Sequence, residues 1–388
     1  MVYAQRLKGL GNSVFSDMDN LRLQLEAQGQ RLINLSIGSP DRAPSFAVRR
    51  VLAEAVMDEN VYGYTLTRGT AEFRQSCVRW YKQRFGIDLD AEREVLPLMG
   101  SQDGLAHIFW ALIDHGESAL IPDPGYPIYT AGLLLAGGRK VSVPLRQENG
   151  FLPDLRAIDA QVARAAKLIF LNYPNNPTAA VASKQFFAEV VEFAREYDII
   201  VCHDAAYSEL AFGGFRPASF LEVPGAKEVG IEFHSVSKTY NLAGLRLGMV
   251  VGNADVVAAL TQVKGNIDYG VFLPALRAAT VALAGDQAEV EENKLAYQRR
   301  RDLWVDGCAA AGWSMNRPRG SMFVWAPVPT GQDSFSFAVD LAKKAGILVV
   351  PGIGFGDCGE GYVRIALVQE EPVMREAVER VRAFLEWK

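Results

Sequence analysis

Short apolar runs alternate with amphipathic stretches through residues 94–252 of the chain. The apolar runs have the length of strands, and the amphipathic stretches at 102–113 and 184–197 have the periodicity of helices. This alternation implies crossover connections, so we expect an α/β fold with a mostly parallel seven-stranded sheet between helices. Ligands of such sheets bind at the carboxyl ends of the strands. The predicted strands are 94–99, 118–122, 140–143, 167–171, 199–203, 230–235 and 249–252.

The pattern changes after residue 286. A charged helical stretch at 289–302 is followed by short strand candidates at 322–326, 347–350 and 362–366, and by a terminal helix from Glu371. A chain of 388 residues is long enough for two domains, so we predict a large domain over 46–285 and a smaller α+β domain. Because chain ends often lie close together, we assign residues 1–45 to the smaller domain together with 286–388.

Composition and charge limit the classes of partner. The chain is 49% hydrophobic and 22% charged, and its formal net charge of -5 gives no reason to expect nucleic acid. No stretch approaches the roughly 20 apolar residues of a membrane span, and the first residues lack the apolar run of a signal peptide. We therefore expect a cytoplasmic protein without a membrane partner. The cysteines form no CxxC pair, which favours idle thiols over metal ligands: Cys77, Cys202, Cys308 and Cys358.

Lys238 is the candidate for covalent chemistry. It ends the segment Ser235-Val236-Ser237-Lys238, directly after an apolar run, where it could also be a solvated loop residue. A lysine that forms an imine needs partners that hold an electron-poor ring and a phosphate. The ends of the other predicted strands are the places to look for them.

Three candidates for ring contacts follow two of these strands. Asp204 closes the apolar run 199–203, where it could cap a helix or keep a ring nitrogen protonated. Tyr207, three residues later, could bind the phenolic oxygen of the ring. Asn176 lies in a turn rich in proline and asparagine, and could offer its amide to the same oxygen. A plain turn is the alternative interpretation of that segment.

A phosphate site is indicated by Gly100-Ser101-Gln102, which leads from a strand into a helix. Such a turn presents free backbone N–H groups to an anion, although Ser101 could also be a simple helix cap. Ser235, Ser237 and Arg246 could complete the site, because an arginine adds a charge-assisted contact.

The order of these motifs along the chain identifies a family. They are Gly100-Ser101-Gln102, Pro124-Gly125-Tyr126-Pro127, Asn176-Pro177-Thr178, Asp204 with Tyr207, Ser235-Val236-Ser237-Lys238, and Arg246. In this succession the chain resembles the class I/II aminotransferases of the aspartate-aminotransferase fold, over nearly its whole length. The resemblance implies a fold type I enzyme that uses pyridoxal 5'-phosphate to move an amino group between an L-amino acid and a 2-oxo acid.

The resemblance also implies a role for each matching residue. Lys238 would form the imine with the cofactor and act as general base, with Asp204 on the ring nitrogen. Arg364 would clamp the substrate carboxylate, and Gly38 would approach the substrate with its backbone. Tyr64 would reach the cofactor phosphate of a neighbouring subunit, which predicts a homodimer with shared sites. The remaining matches are Tyr207 and Asn176 at the ring oxygen, Tyr126 stacked on the ring, and Ser101, Gln102, Ser235, Ser237 and Arg246 around the phosphate.

One position departs from the family pattern. Ala179 stands where the family turn usually has glycine, so an alanine there would be strained if the backbone needed a positive φ.

Dicarboxylate-specific relatives also use a second arginine, and in residues 263–273 Lys264 is the only cation. Strict aspartate specificity is therefore not expected.

The substrate is less defined than the reaction. Glutamate and 2-oxoglutarate are the expected couple on family precedent. Segments 33–41, 173–178 and 351–356 look most like the LL-diaminopimelate aminotransferase branch, which alanine-, methionine- and aromatic-type aminotransferases share. A C–S β-lyase of the same fold is the first alternative, since the cofactor residues are shared. A regulatory aminotransferase-like domain is the second, although we expect no room for a DNA-binding module before Asn34.

Several other residues have structural interpretations. His203 and His234 lie within apolar strands and are expected to be core residues with satisfied hydrogen bonds. The charged run at 289–302 is expected to be a solvated helix face. Trp313, Trp325 and Phe323 are expected to fill the core of the smaller domain.

Overall fold

The computed structural model describes residues 3–10, 14–329 and 331–386. Its strands are β1 Ile33–Asn34, β2 Val95–Leu98, β3 Ser118–Asp123, β4 Arg139–Pro144, β5 Ala166–Asn172, β6 Ile200–Asp204, β7 Gly230–Ser235, β8 Gly248–Gly252, β9 Phe323–Pro327, β10 Ile347–Leu348, β11 Val350–Pro351 and β12 Tyr362–Ala366. Its α-helices are α1 Val14–Ala27, α2 Phe46–Val56, α3 Ala71–Phe85, α4 Ser101–Leu112, α5 Pro127–Leu135, α6 Ala160–Ala165, α7 Lys184–Tyr197, α8 Ala226–Val229, α9 Val236–Thr239, α10 Ala254–Ile267, α11 Leu273–Ala284, α12 Ala288–Ala310, α13 Ser334–Ala345 and α14 Glu371–Glu386.

The seven-stranded sheet has the strand order β2-β8-β7-β6-β5-β3-β4. Only β8 pairs antiparallel with its neighbours, which confirms the prediction of a mostly parallel sheet. Because β2 and β7 both run opposite to β8, β2 points in the same direction as the other strands. The ends of β2, β3, β5, β6 and β7 therefore lie along one edge, together with the start of β8.

All strands of this sheet except the edge strand β4 are largely buried on both faces, as expected when helices cover both sides. In β5, Leu168 and Phe170 pack into one apolar cluster, whereas Ile169 and Leu171 pack into another. The alternation follows from the two-residue period of a strand. A continuous apolar run thus contributes residues to two apolar clusters, one on each face of the sheet.

Local signals set the helix ends around the sheet. Thr70 caps α3 by accepting a hydrogen bond from the backbone N–H of Phe73. The same helix ends at Gly86, whose φ of 74° is the left-handed conformation that glycine adopts without strain. These two caps determine where α3 begins and ends.

The other strands form two small sheets. The antiparallel sheet has the order β11-β12-β9, and β1 pairs parallel with β10. Around them an apolar cluster contains Met18, Ile33, Trp304, Trp313 and Phe323, so α1 and β1 pack with elements from the last third of the chain. The division at residues 46 and 285 stays a prediction.

Three details differ from the sequence analysis. The run 347–350 is not one strand, because β10 pairs with β1 while β11 pairs with β12. In α12, Arg300 and Arg301 are buried, so the charged run is not simply a solvated face. Trp325 packs with Phe355 and Leu145 in a separate cluster. The periodicity of hydrophobic residues in the sequence does not reveal where a strand changes its pairing partner or where a charged residue is buried in an ion pair.

The chain's first described segment lies against the large sheet's helices. The 3-10 helix Gln5–Leu10 packs on α5, and Arg6 Nη1 donates to Leu135 O at 3.5 Å. This part of the opening segment therefore contacts a helix of the predicted large domain, whereas the sequence assigned it to the smaller one. Among the described helices, none is both long and apolar enough to cross a membrane.

Candidate active site

A cavity of about 750 Å³ opens at the edge where the parallel strands end. Every predicted site residue except Tyr64 lines it. These residues come from segments far apart in the sequence, and the sheet topology brings them together. They are Gly38, Ser101, Gln102, Tyr126, Asn176, Asp204, Tyr207, Ser235, Ser237, Lys238, Arg246 and Arg364.

Lys238 lies in the short helix α9, directly after β7. Ser235 caps this helix by accepting from the N–H of Ser237, and Lys238 Nζ donates to the carbonyl oxygen of Gly38. Burial, followed by the positive charges of Arg364 and Arg246, lowers the pKa of Lys238 to about 8. The contribution of Arg364 exceeds that of Arg246.

Asp204 ends β6 and is buried at the floor of the cavity. Its Oδ2 accepts from the hydroxyl of Tyr129 at 2.8 Å, and its Oδ1 accepts from the N–H of Ala206 at 3.2 Å. The hydrogen bond from Ala206 to Asp204 lies in a turn, so Asp204 does not cap a helix. Because both partners are neutral, burial raises the pKa of Asp204. Tyr129 was missed in the sequence, although it follows Tyr126 by one helical turn.

Asn176 is held by the turn that follows β5. Asn172 accepts from the backbone N–H of Asn176 at 2.7 Å and donates its amide to Asp204 O at 2.7 Å. The turn is thereby tied to the end of β6. Ala179 has a φ of 57°, so the strained conformation considered for this alanine is present.

The residues around Gly100 form an anion-binding arrangement. Gly100 has a φ of 82° and precedes α4 without a side-chain cap, so the first N–H groups of α4 have no capping side chain. The positive φ favours glycine at position 100, and a Cβ there would also meet the guanidinium of Arg246. Free N–H groups beside a guanidinium favour a phosphate.

Arg364 projects from β12 and is buried. Nη1 donates to Asn176 Oδ1 at 2.8 Å and Nη2 to Ser36 O at 2.6 Å, while Nε has no partner among the described residues. The guanidinium carbon lies 4.2 Å from the centre of the Phe323 ring. Burial lowers the pKa of Arg364 to about 10, where it is still charged at neutral pH. A buried cation without a described carboxylate partner suits an anionic ligand.

Phe323 also contacts Gly38, where a Cβ would collide with its ring. Phe323 also lines the cavity, so it belongs to the cavity wall as well as to the predicted core. Four further lining residues were missed on α1: Phe15, Met18, Asp19 and Arg22.

Two residues singled out in the sequence, one predicted site residue and one cation, lie away from the cavity. Tyr64 is 93% exposed and contacts Tyr269 edge-on, with 5.7 Å between ring centres. Lys264 is fully buried, and its ammonium bonds Asp103 Oδ2 at 2.5 Å and Asp268 Oδ2 at 2.8 Å. Lys264 is therefore not available to a substrate.

His203 and His234 are core residues, as predicted. His203 Nδ1 pairs with Glu232 Oε1 at 2.7 Å, and His203 Nε2 accepts from the N–H of Tyr173 at 3.3 Å. His234 Nε2 pairs with the hydroxyl of Tyr81 at 2.5 Å. These bonds tie the turn after β5 to the buried carboxylate of Glu232.

Comparison with known proteins agrees with this geometry. The family model described as "Aminotransferase class I and II" matches residues 30–381. LL-diaminopimelate aminotransferases from Desulforudis audaxviator and Moorella thermoacetica are each 50% identical over 99% of this chain, covering 98% and 99% of their own lengths. A solved structure, a probable N-succinyldiaminopimelate aminotransferase from Thermus thermophilus, is 40% identical with a TM-score of 0.90, over 96% of this chain and all of that chain. The chain belongs to the class I and II aminotransferases and is a pyridoxal-phosphate-dependent aminotransferase.

Proposed function

We propose that Asp204 pairs with the ring nitrogen of pyridoxal phosphate and that Lys238 carries the cofactor. Asp204 is a buried carboxyl with two neutral described partners, Tyr129 and Ala206. A protonated ring nitrogen would give this buried carboxyl a positively charged partner and would favour its ionised form. The observation that carries the proposal is the convergence of Lys238, Asp204 and Arg364 in one cavity.

We assign two hydrogen-bond donors to the phenolic oxygen of the cofactor ring, Asn176 and Tyr207. Asn176 Oδ1 is occupied by Arg364, so the Asn176 amide nitrogen is the atom left to donate. The hydroxyl of Tyr207 makes no hydrogen bond with the described residues, and it also lines the cavity. Tyr126 is placed to cover the ring, since its hydroxyl bonds Gln102 at 3.1 Å across the cavity wall.

The phosphate fits the start of α4. The open N–H groups after Gly100, the hydroxyls of Ser101, Ser235 and Ser237, and the guanidinium of Arg246 supply donors and positive charge. We assign these residues, together with Gln102, to the phosphate site.

Arg364 and Lys238 act on different parts of the substrate, the α-carboxylate and the Cα–H bond. Arg364 binds the α-carboxylate and so orients the Cα–H bond, while the backbone of Gly38 approaches the substrate. Once the substrate amine has displaced it from the cofactor, Lys238 Nζ would take the proton from Cα and pass it to the cofactor, which its lowered pKa permits near neutral pH. Pyridoxal phosphate, when bound, withdraws the electrons that this deprotonation leaves behind.

The amino donor and acceptor are proposed from the relatives. We propose LL-diaminopimelate and 2-oxoglutarate as a substrate pair, with glutamate as a product, because both curated relatives carry the name LL-diaminopimelate aminotransferase. Both substrates carry a second carboxylate, and buried Lys264 is not available to bind it.

We also propose a homodimer in which Tyr64 reaches the partner's phosphate site. Tyr64 has neighbours that are also exposed and apolar, namely Tyr62, Leu66, Tyr269 and Phe272. Exposed apolar residues that cluster in this way are typical of protein interfaces. A cytoplasmic location stays a prediction.

The test is turnover by the purified holoenzyme. LL-diaminopimelate with 2-oxoglutarate should yield glutamate, and the same mixture with the Lys238→Ala variant should yield none. Glutamate formed at the wild-type rate by this variant would remove Lys238 from the mechanism. Pyruvate and ammonia released from cystathionine without an oxo acid, and no glutamate from any donor, would indicate a β-lyase instead.

A further inference from the structure

One face of α1 brings two charges to the cavity that the assignments above leave unused. Phe15, Met18, Asp19 and Arg22 all line the cavity, and their spacing places them on a single side of a helix. The other charged lining residues have been assigned to the cofactor or to the α-carboxylate. Asp19 and Arg22 are the remaining charged pair in the described cavity wall.

This face of α1 starts beside the α-carboxylate site. The guanidinium carbon of Arg364 lies 6.0 Å from the centre of the Phe15 ring. Asp19 follows Phe15 by four residues, which is about 6 Å along a helix axis. Buried Met18 lies on the same face. The cavity wall therefore changes from apolar to charged about one helical turn away from the site of the α-carboxylate.

The two charges are positioned by each other. Arg22 Nε donates to Asp19 Oδ1 at 2.8 Å, and Arg22 Nη1 donates to Glu26 Oε2 at 2.7 Å. Asp19 Oδ2 accepts no hydrogen bond from the described part of the chain. One cation between two carboxylates leaves an excess negative charge, and Asp19 keeps an open oxygen for a further cation.

We propose that Asp19 and Arg22 bind the distal zwitterionic end of a diamino dicarboxylic acid. Asp19 accepts from the distal ammonium, Arg22 donates to the distal carboxylate, and Phe15 and Met18 contact the methylene groups between the two ends. Four carbon–carbon bonds separate the two amino-bearing carbons and span about 5 Å, close to one turn of α1.

This inference rests on the proposed function and narrows its substrate class. A substrate whose distal amine is acylated has no distal positive charge, so it has nothing to pair with Asp19. The pair therefore favours a free diamino acid over an N-acylated one.

The test compares two amino donors with holoenzyme variants. L-2-aminopimelate has the carbon chain and both carboxylates of LL-diaminopimelate and lacks the distal ammonium. Asp19→Asn should lower kcat/KM for LL-diaminopimelate about tenfold, because a partly exposed hydrogen bond between charged groups is lost. The same variant should leave kcat/KM for L-2-aminopimelate within about twofold, a change too small to represent one such bond.

Asp17→Asn is the matched control, because it makes the same change on α1 at an exposed residue that does not line the cavity. It should leave kcat/KM for both donors at the wild-type value. An equal loss for both donors in Asp19→Asn, or no loss for either, would overturn the assignment of Asp19 while wild-type turnover of LL-diaminopimelate still stands. A wild-type enzyme that transaminates L-2-aminopimelate and rejects LL-diaminopimelate would overturn the proposed substrate and this inference together.

Discussion

Replacing Arg364 by lysine keeps a positive charge in the cavity and removes the planar guanidinium. In the structure, Asn176 Oδ1 and Ser36 O hold that plane through bonds of 2.8 Å and 2.6 Å. A lysine ammonium is a point donor and cannot keep both bonds while contacting a carboxylate at two points. The loss of one charge-assisted hydrogen bond costs about 1.5–3 kcal/mol, so kcat/KM should fall about 10- to 150-fold.

The assay is the absorbance change of the bound cofactor when an amino acid is added to the holoenzyme. Arg301→Lys is the control, since Arg301 is also buried and bonds a backbone carbonyl, that of Pro318 at 2.8 Å, but does not line the cavity. This control should keep the wild-type kcat/KM. An Arg364→Lys enzyme that matches the wild type with every amino acid would refute the carboxylate site.

Three further predictions follow from buried or exposed polar groups. Because burial, Arg364 and Arg246 lower the pKa of Lys238 to about 8, uptake of pyridoxal phosphate by the apoprotein should rise with pH through about 8, as the free amine forms. Arg364→Met should move that midpoint upward, and an unmoved midpoint would contradict the electrostatic account. Glu232→Gln should lower the free energy of unfolding by about 3 kcal/mol, because an amide nitrogen replaces one of the two oxygens that accept from buried donors of Tyr81, Ser219 and Phe220; urea denaturation with an unchanged midpoint would contradict this. Tyr64→Phe should weaken cofactor affinity about tenfold while light scattering still shows a dimer, and unchanged affinity would exclude a shared site.

The strand-end residues of the site could be predicted from the sequence. Asn172, Asp204 and Ser235 each end an apolar run of strand length. Parallel strands place their carboxyl ends on one edge, so residues far apart in the chain meet there. The ordered motifs and the sheet topology therefore agree on where the cavity lies.

The contributions of α1 and α12 could not be predicted in the same way. Asp19 and Arg22 follow the pattern of a surface helix, and only the packing of α1 turns that face toward the cavity. Arg300 is buried because it bonds Asp41 through both nitrogens, at 2.8 Å and 2.7 Å, across 259 positions. Helical periodicity carries no information about a partner so distant in the chain.

Covalent trapping tests the central claim most directly. The holoenzyme is treated with borohydride, which reduces an imine to a stable amine, and the digested protein is analysed by mass spectrometry. The account predicts a single cofactor-derived mass on the peptide that contains Lys238, and its loss after prior incubation with an amino-acid substrate. A cofactor-derived mass on another lysine, or none on any peptide of a yellow holoenzyme, would contradict it.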